Sequence, residues 1–128
     1  MRFSTKGEYG LRLAVNLGKS YPAVKSVGDI AVEENISLKY LERLIGNLRK
    51  NNLVTSSKGK NGGYVLARTP KKITAGEVIE VMEGPMVPKC YGNHCTHMKT
   101  CASSFVWIKL GEQIKKTLYE IKLSDLTK

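Results

Sequence analysis

Apolar residues return at intervals of three and four over most of this chain, in blocks separated by turn-forming residues. In the first block Tyr9, Leu13 and Leu17 stand four apart, which places them on one face of a helix. Thr5 and Glu8 fit the Thr-x-x-Glu capping box, in which each side chain satisfies a free helix N–H. The SYPAVK stretch ends that helix near Lys19. A shorter block, VGDIAVEEN, has Ser26 placed to cap its start and Asn35, which tolerates the left-handed conformation, at its end. ISLKYLERLIGNLRKNNL follows at once, with Ser37 as the next cap. Leu41, Leu44, Ile45 and Leu48 form its buried stripe, while Lys39, Tyr40, Glu42, Arg43 and Arg49 fall off it. Two helices joined by a tight turn, the second presenting a polar and basic face, predict a helix-turn-helix.

The period then shortens. LVTSS and YVLAR are β-rich runs enclosing KGKNGG, and Asn61-Gly62 supplies the backbone freedom of a tight hairpin turn. A basic hairpin directly after a helix-turn-helix is a wing, with Lys58 and Lys60 at its tip and Gly59, Gly62 and Gly63 allowing close backbone approach. A second capping box, Thr74 with Glu77, opens AGEVIEVMEG, whose Val78, Ile79 and Met82 face the core. Gly84, Pro85 and Pro88 then interrupt regular structure. In the last block Trp107, Leu110, Ile114, Leu118 and Ile121 recur three or four apart, predicting a helix of about twenty residues with one apolar stripe along it. A single-domain core could absorb that stripe, but pairing with a second copy of the helix is the preferred expectation.

The fold expected is therefore mainly α with a small β-hairpin: a winged helix-turn-helix over residues 1–83, a cysteine-rich loop over 84–101, and a dimerisation helix with a short tail over 102–128. The chain length of 128 residues suits one domain with an appended segment. The apolar runs are far shorter than a membrane span and the N-terminus lacks a signal-peptide core, so a cytoplasmic protein with no membrane association is expected.

Charge sharpens this reading once it is divided along the chain. Of the net +10, residues 1–72 hold 14 Lys/Arg against 5 Asp/Glu, and residues 73–128 hold 7 against 6. The excess lies with the predicted helix-turn-helix and wing, and such concentrated basicity favours a polyanion partner.

All three cysteines and both histidines fall in CYGNHCTHMKTC, from Cys90 through His94, Cys95 and His97 to Cys101. An odd number of cysteines within one short segment argues against a disulfide framework and for metal binding or redox chemistry. Thiolates are soft ligands that suit iron-sulfur clusters and zinc alike. With the histidines, Cys3His and Cys2His2 sets for a structural zinc are available as well. No carboxylate or Ser/His constellation accompanies the cysteines to act as base or nucleophile, so an enzyme is not expected.

MRFSTKGEYGLRLAVNLG, ISLKYLERLIGNLRKNNLV, KGKNGGYVLAR and ITAGEVIEVMEG, followed by a cysteine loop and one long helix, resemble the Rrf-type winged-helix repressors, the family of IscR, NsrR and CymR. The Tyr-Leu-Glu of the recognition helix and the Gly-Gly-Tyr of the wing carry the resemblance most specifically. It implies a dimeric bacterial transcription factor acting on a double-stranded DNA operator. Ser37, Lys39, Tyr40, Glu42 and Arg43 would face the major groove, and Lys58, Lys60, Gly62 and Tyr64 the flanking minor groove or backbone. Chemistry agrees, since Arg43 can donate a bidentate pair to guanine and Glu42 can accept from cytosine.

The resemblance also implies an iron-sulfur cluster, 2Fe-2S or 4Fe-4S, held by Cys90, Cys95 and Cys101. Here the spacing is C-x4-C-x5-C, one residue shorter than a pattern common among cluster-binding relatives. IscR-like members add a histidine three residues beyond the third cysteine, where this chain has Ser104. NsrR-like members add an acidic residue from helix 1 of the other subunit, and Glu8 occupies that place, ahead of His97 and then His94. Its role as the capping partner of Thr5 competes with ligation. CymR-type relatives lack these cysteines and respond through a protein partner. Zinc, or no metal with free thiols, is the alternative.

Overall fold

The computed structural model describes residues 4–85 and 102–128. The first helix, α1, runs Thr5–Ser20 and buries Leu13, Ala14 and Leu17. Its start departs from the sequence expectation. Ser4 is the cap residue but its hydroxyl makes no bond to the helix, and Thr5 and Glu8 form no capping box. The free donors turn instead to Glu83: its Oε1 accepts from Ser4 N at 2.8 Å, Ser4 Oγ at 2.6 Å and Gly7 N at 3.0 Å. A carboxylate here also complements the positive end of the helix dipole. The close crossing that brings Glu83 in depends on two glycines. A Cβ on Gly7 would lie 2.4 Å from Glu83 Oε1, and one on Gly10 2.5 Å from Met82 Cγ.

Helix α2, Val27–Glu34, and helix α3, Leu38–Lys50, form as predicted. Ser26 Oγ accepts from Asp29 N and Ser37 Oγ from Tyr40 N, while Asn35 adopts the left-handed conformation at φ 54° and turns the chain between them. Ile30 of α2 and the Leu41, Leu44, Ile45 and Leu48 stripe of α3 are buried together with α1. A left-handed Asn52, φ 62°, ends α3 and lets Leu53 N donate back to Leu48 O.

Strands β1, Val54–Ser57, and β2, Gly63–Leu66, pair antiparallel with Val54 opposite Leu66 and Ser57 opposite Gly63. Their connection spans residues 58–62 and closes through Gly62 N donating to Gly59 O at 3.0 Å. The positive φ falls on Gly59, at 111°, rather than on Asn61-Gly62, because a five-residue connection does not need a two-residue turn. Gly62 is required for another reason: a Cβ there would stand 2.3 Å from Ser57 O.

A 3-10 turn, Pro70–Lys72, leads to α4, Ala75–Glu83, which buries Val78, Ile79 and Met82. Thr74 Oγ1 accepts from Glu77 N as expected, but the Glu77 carboxylate pairs with Arg68 at 2.5 Å instead of returning to Thr74. Helix α5, Ser104–Glu120, is shorter than predicted, and Ile121 lies beyond it. The chain leaves the helix because its backbone finds partners elsewhere: Ala75 N donates to Ile121 O and Leu123 N to Ile73 O, at 2.8 and 2.9 Å. This seats Leu123, the first residue of the short α6, Leu123–Leu126, fully within the core beside Leu13, Leu17 and Ile73.

Candidate nucleic-acid interface

The polar face of α3 begins at its cap. Ser37 uses its hydroxyl on Tyr40 N, and Lys39, Glu42 and Arg43 are exposed one after another around the first two turns. Tyr40 differs from the expectation of an open groove-facing residue. Its ring is half-buried at the junction with α1, edge-on to Tyr9 with centroids 5.9 Å apart, and Arg12 covers the Tyr9 ring at 5.2 Å. Aromatic packing of this kind fixes the azimuth of α3 on α1.

Between α1 and α3 lies a cavity of about 510 Å³ lined by Lys6, Tyr40, Glu42, Arg43, Asn47 and Lys50, among others. Lys6, Asn47 and Lys50 were not singled out from sequence. For Lys50 a signal existed, since it continues the Lys39–Arg43 row at helical spacing on the face opposite the buried stripe. Lys6 carries no such signal, and only the packing of α1 on α3 brings it beside Arg43.

The hairpin carries further basic residues. Lys58, Gly59, Lys60 and Asn61 are exposed, whereas Gly62, Gly63 and Tyr64 are half-buried where the hairpin meets the body. Among the described residues, ion pairs join Arg12 to Glu34, Lys25 to Glu33, Arg68 to Glu77 and Lys115 to Glu80. Lys6, Lys39, Arg43, Lys50, Lys58 and Lys60 take part in none of these pairs. Each of these six, on α3, the start of α1 and the hairpin tip, can therefore meet a phosphate without first breaking one of these pairs.

Behind the hairpin Lys25 pairs as a single-residue bridge with Tyr64: Lys25 N donates to Tyr64 O and Tyr64 N to Lys25 O, at 2.9 and 2.8 Å. The Lys25 ammonium reaches the other way, to Asn16 Oδ1 at 2.8 Å and to Glu33. Its hydrogen bond, with that of the Asn16 amide, holds the Glu33 carboxyl below the usual carboxylate range.

The predicted metal ligands are only partly in view. Cys90, His94, Cys95, His97 and Cys101 lie outside the described residues, and among the described residues no group of three His, Cys, Asp or Glu side chains gathers. Glu8 stands exposed in the first turn of α1, and with Glu83 serving as the cap its carboxylate has no structural task among the described residues.

On α5 the apolar stripe divides. Ile114 and Leu118 are half-buried, and Tyr119 packs on α4 so closely that a Cβ on Gly76 would lie 2.2 Å from its ring. Burial, followed by a hydrogen bond to Glu80, pushes the Tyr119 phenol up to about 12. The first half of α5 is open: Phe105 is 67% exposed and Trp107 46%, with Val106 and Leu110 beside them. No helix of the described residues is long and apolar enough to cross a membrane.

Comparison with known proteins follows the same lines. Residues 3–128 match the family model Rrf2, described as an iron-dependent transcriptional regulator. The chain is 39% identical to the HTH-type transcriptional regulator CymR of Bacillus subtilis, over 98% of this chain and 89% of that protein. It is 34% identical to the HTH-type transcriptional regulator IscR of Erwinia tasmaniensis, over 98% of this chain and 78% of that protein. The solved structure of B. subtilis CymR, described as the global cysteine regulator, superposes with a TM-score of 0.83 at 38% identity, covering 99% of this chain and 96% of that one.

Proposed function

The chain belongs to the Rrf2 family of transcriptional regulators, and from that premise we propose that it is a cytoplasmic, homodimeric repressor that reads its operator with α3 and the wing and responds through an iron-sulfur cluster on its cysteine loop. It acts by binding and not by catalysis, as its relatives and fold do. The observation that carries the DNA reading is the grouping of Lys6, Arg43 and Lys50 around one cavity on the polar side of α3, with Lys39 exposed on the same helix and Lys58 and Lys60 exposed on the hairpin. In this reading Ser37, Lys39, Glu42 and Arg43 belong to the major-groove contact, with Arg43 on guanine and Glu42 on cytosine, and the half-buried Tyr40 supports them by holding α3 on α1. Lys58, Lys60, Gly62 and Tyr64 belong to the flanking contact, and Lys6 and Lys50 add phosphate contacts. The open apolar half of α5, centred on Trp107, supports a second copy of the chain as its cover, which would set two copies of α3 on successive half-sites.

Cys90, Cys95 and Cys101 would hold the cluster, with Glu8 of the partner copy as fourth ligand and His97 or His94 behind it. Three thiolates are a suitable donor set. An exposed Glu8 that α1 does not need as a cap is free to serve. The bound cluster would supply a charge and a bonding requirement that change with oxidation state or loss. A specific observation favours a second reading, in which the loop holds zinc or no metal: the 39% identity to CymR.

Two measurements test these statements. Operator affinity should fall steeply with salt and drop about 10-fold or more in Arg43→Ala, as loss of one bidentate base contact worth ~1–3 kcal/mol requires. Affinity indifferent to both would end the DNA reading. Anaerobically purified protein should be coloured and carry iron and sulfide; colourless protein with stoichiometric zinc, or with none of the three, would replace the first reading of the loop by the second.

A further inference from the structure

The wing stands on a short two-stranded hairpin, and such a hairpin has little stability of its own in water. Its direction must come from what it rests on. Two features of that contact stand out. Gly63 lies directly against Lys25, so close that a Cβ would fall 2.3 Å from Lys25 O, and the next residue, Tyr64, exchanges both backbone hydrogen bonds with Lys25. The side chain of the same Lys25 is drawn into a polar cluster. Asn16, only 6% exposed on α1, accepts from Lys25 Nζ and donates its amide to Glu33 at 3.1 Å and Glu34 at 2.8 Å. Glu34 in turn receives Arg12. One residue thus joins the hairpin through its backbone to α1 and the end of α2 through its ammonium.

We propose that Lys25 is a positioning residue for DNA recognition: its ammonium, held by Asn16 and Glu33, sets the line of the segment on which the hairpin hangs and so aims Lys58 and Lys60 at the duplex. The inference rests on the wing meeting DNA, as proposed above. A lysine present for solubility would extend into water, and an exposed pair would contribute little. Here 20% of the Lys25 side chain is exposed and its ammonium has a partner on each of two helices. Because the ammonium is committed inward, it is not free to bind phosphate. The hairpin's two lysines do that, and Lys25 decides where they are.

The test uses the full chain and a duplex recovered from a randomised DNA library by selection with the unaltered protein. Replacing Lys58 and Lys60 with alanine removes two phosphate contacts from each protomer of the dimer and should reduce the slope of log affinity against log salt by about 3.6, roughly 0.9 for each of the four lost contacts. Lys25→Met keeps the backbone bridge and removes one charge, yet should reduce the slope by the same amount. It should also abolish hydroxyl-radical protection of the flanks while leaving the centre protected. In that background the Lys58 and Lys60 substitutions should have no further effect, and Lys25→Arg should retain most of the slope. A decrease of about 1.8, one contact from each protomer, with the wing substitutions still additive would make Lys25 an ordinary phosphate contact and overturn the inference, as would no change. If the wing substitutions alone leave the slope intact while Arg43→Ala does not, the wing reading and the inference fall together. If no duplex is recovered, DNA binding itself falls, and the inference with it. Should Lys25→Met fail to fold, Glu33→Gln enters the same cycle: a non-additive coupling between position 33 and the wing lysines supports the anchor, and full additivity refutes it.

Discussion

Removing the Glu83 carboxylate should destabilise the protein through a helix 79 residues away in sequence. Its Oε1 accepts three hydrogen bonds at the start of α1, and a bond to a charged group is worth about 1.5–3 kcal/mol. They do not sum. Ser4 is exposed, so water replaces both of its bonds at little cost, and Gly7 N keeps a partner in Ser4 O at 3.1 Å. What is lost is about one charge-assisted bond plus a dipole interaction of ~0.3–1 kcal/mol, so Glu83→Ala should cost about 2 kcal/mol. For a chain of this size that lowers the melting temperature by about 6–10 °C. Glu83→Gln keeps an acceptor, loses the charge and should cost about half as much. Urea denaturation followed by circular dichroism, with unchanged slope, measures both. Thr5→Ala is the control, because the box it would break does not form, and it should fall within about 0.5 kcal/mol of the unaltered protein. A Glu83→Ala effect no larger than the control, or a Thr5→Ala loss matching a full N-cap, would refute the placement of the cap.

Glu8→Ala should cost less than about 1 kcal/mol of stability, because α1 has its cap elsewhere, while lowering the iron and sulfide recovered per chain; equal metal content in both proteins would remove Glu8 from the ligand set. Tyr119 has a phenol raised from 10.0 to about 12, so the folded state holds its proton more tightly than the unfolded chain and the stabilisation is complete below pH 10. Stability should therefore fall as pH rises from 10 towards 12, and Tyr119→Phe should show a shallower fall there in denaturant midpoints; identical profiles would refute the assignment. Trp107→Glu places a charge on the open face of α5 and should shift sedimentation from dimer to monomer at micromolar concentration without changing the helical signal; an unaltered dimer would move the interface elsewhere.

The helix-turn-helix was legible in the sequence residue by residue. Caps at Ser26, Ser37 and Thr74, the left-handed Asn35 and the α3 stripe are relations across three or four positions, and a helix enforces such relations through its own hydrogen bonds. The hairpin was legible from its shortened period, and the basic half of the chain from counting. The same local rules failed wherever a distant group competed for the same donor or acceptor. Glu83 caps α1 through Ser4 N and Gly7 N, so the helix begins one residue ahead of the expected box and Glu8 N bonds to Ser4 O, and Arg68 took the Glu77 carboxylate. The pairing of Ile121 and Leu123 with the segment before α4 ended a helix whose apolar spacing continued past Glu120.

For the proposed recognition face, sequence alone determined that α3 and the hairpin would be basic on their outer sides. Which cations stand together was decided by tertiary structure: Lys6 joins Arg43 because the Tyr9–Tyr40 contact sets α3 on α1, and the wing points where it does because Tyr64 pairs with Lys25. Local propensity carries no information about such contacts, since each joins groups far apart in sequence that are brought together by the fold built around the Leu13, Leu41 and Leu123 core.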